Sequence, residues 1–146
     1  ADVALVYDRD EDPRTFRDTK LKPHGGIDVA VDMVGGPFLE PIVRSLNFDG
    51  RCVVVGFASG HIPKIPANIL LVKNLALVGL YWGAHAKHRP DIFRSSCADV
   101  VRLWRSGDFE PRVGAAFPLD QVADAVDALR TRRSTGKVVI VPGEAV

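Results

Sequence analysis

Ile27-Asp-Val-Ala-Val-Asp-Met-Val-Gly-Gly-Pro37 is the stretch that decides the fold. A β-branched run from Ile27 to Val34 ends on Gly35-Gly36, and Pro37 stands where a first helical turn accepts a residue without an N–H. That is a strand-to-helix switch. The predicted helix runs from about Pro37 to Leu46 and closes at the turn Asn47-Phe-Asp-Gly50. The next run, Arg51-Cys-Val-Val-Val-Gly-Phe57, is nearly all apolar, as a strand covered on both faces should be, and it ends in the small-residue loop Ala58-Ser-Gly60.

Outward from this unit the same alternation continues. Towards the N-terminus, Val3 to Tyr7 reads as a strand, and the charged stretch Asp8 to Lys22 has room for a short helix stopped by Pro23 and Gly25-Gly26. Towards the C-terminus, a proline-punctuated connection (Ile62-Pro-Lys-Ile-Pro66) leads to a short helix around Asn68 to Lys73 and a fourth run from Leu75 to Trp82. A longer helix is expected from about Pro90 to Ser106. Its Phe93, Cys97, Val100, Val101 and Trp104 share one face, and Gly107 is placed to end it. Pro111 to Phe117 reads as extended. A second amphipathic helix follows, capped by Asp120 and striped by Val122, Ala123, Val126 and Leu129, and Lys137 to Val141 is a last strand. Strand and helix in alternation predict an α/β fold with a mostly parallel sheet and flanking helices.

Composition narrows the class. With 146 residues, 47% of them hydrophobic, the chain has the makings of a single domain over 1–146 and is no disordered segment. A chain of this length buries roughly two-thirds of its unfolded surface. A formal net charge of +1 excludes an electrostatic nucleic-acid or membrane-surface binder. Cys52 and Cys97 lack a Cys-x-x-Cys partner and read as reduced, buried small hydrophobes of a cytoplasmic protein. No signal peptide is legible from Ala1 onwards, and the apolar stretch Ile69 to Trp82 is broken by Lys73 and Asn74, so it is no transmembrane span.

Candidate chemistry is sparse. His24, His61, His85 and His88 are expected in loops, and the His85/His88 pair reads as solvated rather than metal-ligating. Ser95-Ser96 has no base near it in sequence. No metal site and no catalytic residue is predicted. The strand ends carry more information, because ligands of open parallel sheets bind beyond the carboxyl ends of the strands. Two glycine-bearing loops fall there: Val34-Gly35-Gly36 and Gly56-Phe-Ala-Ser-Gly60. Glycine lets a ligand approach the main chain, yet any strand-to-helix turn favours it too, and residue types alone leave both readings open. Neither G-x-G-x-x-G nor G-x-x-x-x-G-K occurs in the chain.

The succession Asp28 to Gly36, Gly50 to Gly60, Ile65-Pro-Ala-Asn68, Leu71-Val-Lys-Asn74 and Val78-Gly-Leu-Tyr-Trp-Gly83 is distinctive, as are the closing Phe117-Pro-Leu119 and Thr135-Gly-Lys-Val-Val-Ile140. In this order it closely resembles the medium-chain dehydrogenase/reductase family, in particular its zinc-free NADPH:quinone oxidoreductase branch. The resemblance covers only the second half of such enzymes. It implies a partial Rossmann-like domain that lacks the first strands and the glycine-rich turn. A truncated dinucleotide-binding domain would span about 1–110, with a strand-helix-strand return over about 111–142. The zinc ligands of zinc-dependent relatives would lie in the missing half.

NADPH is the cofactor that the resemblance implies, and hydride transfer to a quinone or an activated alkene (enal or enone) the reaction. Cofactor-binding residues would be Tyr7, near an adenosine 2′-phosphate, Val34 and Gly35 beside a ribose, Phe57, Ala58 and Ser59 towards the nicotinamide, and Lys137. The chain alone would be catalytically incomplete. Alternatives are a non-enzymatic interaction or regulatory module that keeps the fold, and a fragment of an enoyl reductase module. The Val34-Gly35-Gly36 turn and the tail Val141-Pro-Gly-Glu-Ala-Val146 speak against the latter. The usual strand order of the dinucleotide-binding sheet is 3-2-1-4-5-6, so Val3 to Tyr7 would lack its neighbours. Either that segment re-pairs, directly against Ile27 to Val34, or another chain covers the exposed edge, which predicts a homo-oligomer through Leu75 to Trp82 or Ile27 to Val34. The resemblance implies the former of these two strands, since in relatives the strand matching Leu75 to Trp82 pairs across the subunit interface.

Overall fold

The computed structural model describes residues 2–8, 10–131 and 133–143. Glu144, Ala145 and Val146 of the C-terminal tail, and Ala1, therefore lie outside the described residues. The chain divides into two compact units, residues 1–88 and 89–146.

The first unit carries a three-stranded parallel sheet, β1 (Ile27–Asp32), β2 (Leu46–Val54) and β3 (Ala76–Gly79), in the order β1-β2-β3. Helix α1 (Pro13–Phe16) precedes it, capped by Asp12, whose carboxylate accepts from Thr15 N at 2.8 Å. It continues through a π-helical turn (Arg17–Leu21) into a 3₁₀ turn (Lys22–His24) that Gly25 ends in the left-handed region at φ 85°. Between the strands lie α2 (Leu39–Ser45), entered through the 3₁₀ turn Gly36–Phe38, and α3 (Ala67–Lys73). Leu39, Val43, Leu46, Cys52, Ile69 and Leu75 form the buried core, with Ile27, Ala30, Val54, Ile65 and Leu70 packed around it. The opposite sheet face stays open at Val29, Val31 and Val78, since the pleat sends alternate side chains there.

The predicted turn Asn47–Gly50 lies inside β2. The register passes from Ile27↔Leu46 to Val29↔Arg51, so four residues bulge opposite Asp28, with Asp49 at φ 62° and Asn47 Nδ2 donating to Asp28 Oδ1 at 2.8 Å. The predicted strand Val3 to Tyr7 is absent: residues 2–8 take no regular structure. A strand needs a ladder partner, and here Lys20 Nζ takes the Val6 carbonyl at 2.7 Å while the Tyr7 ring packs on Phe16 and Phe38. β3 stops at Gly79, short of the expected Trp82, which opens the 3₁₀ turn Trp82–Ala84. His85 and His88, expected in a loop, form the single helical turn α4 (His85–His88). The His85 ring stacks on Trp82 at 5.2 Å.

The second unit holds α5 (Pro90–Arg105), then β4 (Val113–Pro118) and β5 (Lys137–Val141) as a separate two-stranded parallel sheet, with α6 (Val122–Arg130) between them. α5 spans the predicted stretch, yet none of its residues is buried and Cys97 is exposed, contrary to the expectation of a buried thiol. α6 starts at Val122 behind the 3₁₀ turn Leu119–Gln121 and has no side-chain cap, so Asp120 does not cap it. Among the described residues no helix is long and apolar enough to cross a membrane.

Candidate functional site

The carboxyl ends of β1 and β2 are joined by a ladder that continues past the strands. Val55 N donates to Asp32 O at 2.8 Å, Ala58 N to Met33 O at 3.1 Å and Ser59 N to Val34 O at 2.9 Å. Gly36 N returns the connection to His61 O at 3.0 Å. Residues 32–36 and 55–61 thus form one double loop at the end where parallel sheets bind ligands.

Its geometry depends on Asp32. This carboxylate is buried and receives Gly35 N at 2.8 Å and Val34 N at 3.3 Å, which bends the chain out of the strand within three residues. Gly35 then adopts φ 66° and ψ −142°, a conformation closed to other residues without strain. A Cβ there would stand 2.7 Å from Phe57 Cδ1 and 3.0 Å from His61 O. At Gly36 a Cβ would come within 3.0 Å of Ser59 Oγ. The absence of both side chains is what lets the two loops close. Burial, and secondarily the charge of Asp32, pushes the Cys52 thiol up, so it stays protonated and packs as an apolar group.

Of the residues singled out by sequence, Val34, Gly35, Phe57, Ala58 and Ser59 come together in this double loop. Val34 and Phe57 present half-exposed side chains, and Ser59 Oγ accepts from His61 N at 3.2 Å. Tyr7 does not join them through the main chain. Its ring is 4.5 Å from Phe38 and 5.4 Å from Phe16, in an aromatic trio beside the first turn after Gly36. Lys137 belongs to the second unit, where it begins β5 with its N–H on Arg112 O at 2.8 Å and its side chain exposed.

Asp32 and the His61 carbonyl escaped the sequence reading. A signal for Asp32 was present: aspartate three residues before a glycine at a strand end is an Asx-turn pattern. His61 contributes main chain only, which no residue type reveals. Among the described residues no three His, Cys, Asp or Glu side chains converge as metal ligands. The double loop leaves Val34 and Phe57 half-exposed, while the space beside Gly35 and Gly36 is filled by Phe57, the His61 carbonyl and Ser59.

Parallel strands, intervening helices and a double loop at the carboxyl ends define the class as a Rossmann-like cofactor domain. The family model described as zinc-binding dehydrogenase matches residues 1–140. The chain belongs to this family, among the medium-chain dehydrogenase/reductases, and corresponds to their C-terminal half. It is 42% identical over 121 residues to the bovine (Bos taurus) quinone oxidoreductase-like protein 2, covering 83% of this chain and 35% of the relative. The chain thus spans about a third of the length of the curated relatives it matches. A mycobacterial protein solved as a complex with NADPH superposes with a TM-score of 0.77 at 25% identity, over 94% of this chain and 42% of the other. The quinone oxidoreductase from Thermus thermophilus, solved alone and with NADPH, gives 0.70 at 29% identity, over 86% and 40%.

Proposed function

We infer that this chain is the cofactor-domain portion of an NADPH-dependent oxidoreductase that transfers hydride to a quinone or an activated alkene. The observation that carries this reading is the double loop at the carboxyl ends of β1 and β2, closed around Gly35 by Asp32. NADPH-bound solved structures of similar fold support the choice of cofactor.

Val34 and Gly35 would lie along the ribose, with Phe57, Ala58 and Ser59 beside the nicotinamide. Tyr7 would face the adenosine phosphate and Lys137 would approach the cofactor from its own segment. NADPH, when bound, supplies the hydride. The residues of this chain then have positioning work. Asp32 fixes the loop, Gly35 lets it close on Phe57 and His61, and the Phe57 and Val34 side chains would keep water away from the cofactor.

Quinone turnover by the chain alone is not expected, since it spans about a third of its relatives. A cytoplasmic setting and homo-oligomerisation through the edge strands β1 or β3 belong to the same proposal; both strands stand at the outside of the sheet order. Titration with NADPH followed by amide chemical shifts tests the binding reading: the shifts should centre on residues 33–36 and 57–60. Saturable binding that leaves those amides unmoved would refute it. Quinone-dependent NADPH oxidation at rates matching intact relatives would refute the claim of catalytic incompleteness.

A further inference from the structure

The amino-terminal end of the same sheet carries a different chemistry. A cavity of about 420 Å³ opens there, lined by Arg17, Lys22, Arg44 and Lys73 together with Asn47 and Phe48, and no carboxylate belongs to its lining. Leu46 and Ile27, the first residues of β2 and β1, mark this end. Asp32 marks the other, five residues along β1 and about 17 Å away at the usual rise of a strand. The cavity is therefore separate from the double loop.

The four cations converge from three elements: the π-helical turn with its 3₁₀ extension, the end of α2 and the end of α3. Each is held in place by a partner that leaves donors unused. Arg17 Nε donates to Asp18 Oδ1 at 2.8 Å, and Lys22 Nζ lies 2.8 Å from the same oxygen. Arg44 puts Nε and Nη2 on Glu40 Oε1. Lys73 Nζ donates to the carbonyls of Arg44 and Leu46 at 2.8 and 2.7 Å, the orphan acceptors where α2 ends. A guanidinium has five N–H donors and an ammonium three, so both arginines and Lys73 retain hydrogens for a further acceptor. Four positive charges outnumber Asp18 and Glu40, which brace them, and Asp28, which holds Asn47, so the cavity keeps a positive balance.

The bulge of β2 adds an apolar wall. Residues 47–50 are set out from the ladder by the register shift and pinned by Asn47 on Asp28, and they carry Phe48 with 65% of its surface exposed. A large exposed aromatic beside unspent guanidinium donors suits a ligand with phosphates at one end and a planar ring at the other. The volume lies within the range of small-molecule pockets.

We propose that this cavity is a second ligand site, for a diphosphate carried on a planar base, in which Arg17, Lys22, Arg44 and Lys73 receive the phosphates and Phe48 receives the ring. The test is a titration of the 146-residue chain with inorganic pyrophosphate and then with ADP, at constant ionic strength, read from amide chemical shifts. Pyrophosphate should give saturable shifts at Gly26, Asn47 and Phe48. Joint replacement Lys22→Gln and Arg44→Gln, both at exposed side chains, should weaken it at least tenfold. ADP should bind more tightly than pyrophosphate, and Phe48→Ala should remove that difference. Shifts that grow without saturation, equal affinity in the double variant, or shifts confined to residues 33–36 and 57–61 would each overturn the proposal. Loss of NADPH binding at the double loop would leave these readouts untouched, so the two readings fail separately.

Discussion

Gly35→Ala concentrates the reasoning about the double loop in one methyl group. The backbone contribution comes first: φ 66° with ψ −142° costs a residue with a Cβ about 1–3 kcal/mol. The steric part follows from distance. The new carbon would stand 2.7 Å from Phe57 Cδ1, where carbon pairs rest at about 3.5–4.0 Å. Phe57 is half-exposed and can swing aside, but the His61 carbonyl at 3.0 Å is main chain, fixed by the bond from Gly36 N. Relief requires the loops to part, which loosens the bonds to Met33 O, Val34 O and His61 O, each contributing about 0.5–1.5 kcal/mol net. Because Phe57 takes up part of the overlap, the expected cost is about 2–4 kcal/mol. At about 4–8 °C per kcal/mol for a unit of this size, thermal unfolding should fall by at least ~8 °C. Amide hydrogen exchange at Ala58 and Ser59 should accelerate in parallel, and NADPH affinity should drop with it. An alanine variant that melts within 1–2 °C of the parent with Ala58 and Ser59 still protected would refute the claim that closure depends on the bare glycine.

Asp32→Ala removes the acceptor of the Gly35 and Val34 amides and should destabilise the first unit by about 1.5–3 kcal/mol in urea unfolding, with exchange at Gly35 N rising most. Unchanged exchange there would show that the carboxylate does not hold the turn. Asp18, hydrogen-bonded first by Arg17 and then by Lys22, has its carboxyl lowered to about 2 from an ordinary 3.8. A folded value below the unfolded one contributes stability above pH 4 and loses it as pH falls towards 2. Its side-chain carbon should titrate near 2 in NMR and return towards 3.8 in Arg17→Gln, whereas a parent midpoint already near 3.8 would contradict the pairing. A chromogenic thiol reagent should modify Cys97 in the native chain and Cys52 only on unfolding, because burial and the Asp32 charge keep the Cys52 thiol protonated. Rapid reaction of both thiols would show that the core around Cys52 opens.

Some of the fold was written in local pattern. Ile27 to Val34 and Arg51 to Phe57 combine β-branched runs with terminal glycines, and they became β1, β2 and the double loop. The 3.6-residue spacing of Phe93 to Trp104 located α5, and Lys137 to Val141 located β5. Other features depended on partners that no window of sequence contains. Val3 to Tyr7 has strand-forming residues, but a strand exists only with a ladder to join, and residues 2–8 have side-chain anchors instead. Cys97 sits on the predicted apolar face and is exposed, since periodicity gives a face and says nothing of what covers it.

By itself the sequence located β1, the second half of β2, α5 and β5, and the glycines that free the backbone, because those preferences act over a few residues. Only the tertiary structure decided that the loop after Val34 closes on the loop after Gly56, that Asp32 holds the first of them, and that cations from three elements surround one cavity at the far end. Hydrogen bonds between Gly36 and His61, or Met33 and Ala58, join residues about 25 apart in the chain. Such pairings depend on how the parallel strands align, and that register goes with the packing of Leu46 and Cys52 of β2 in one core with Leu39 and Val43 of α2 rather than with the residues that finally meet.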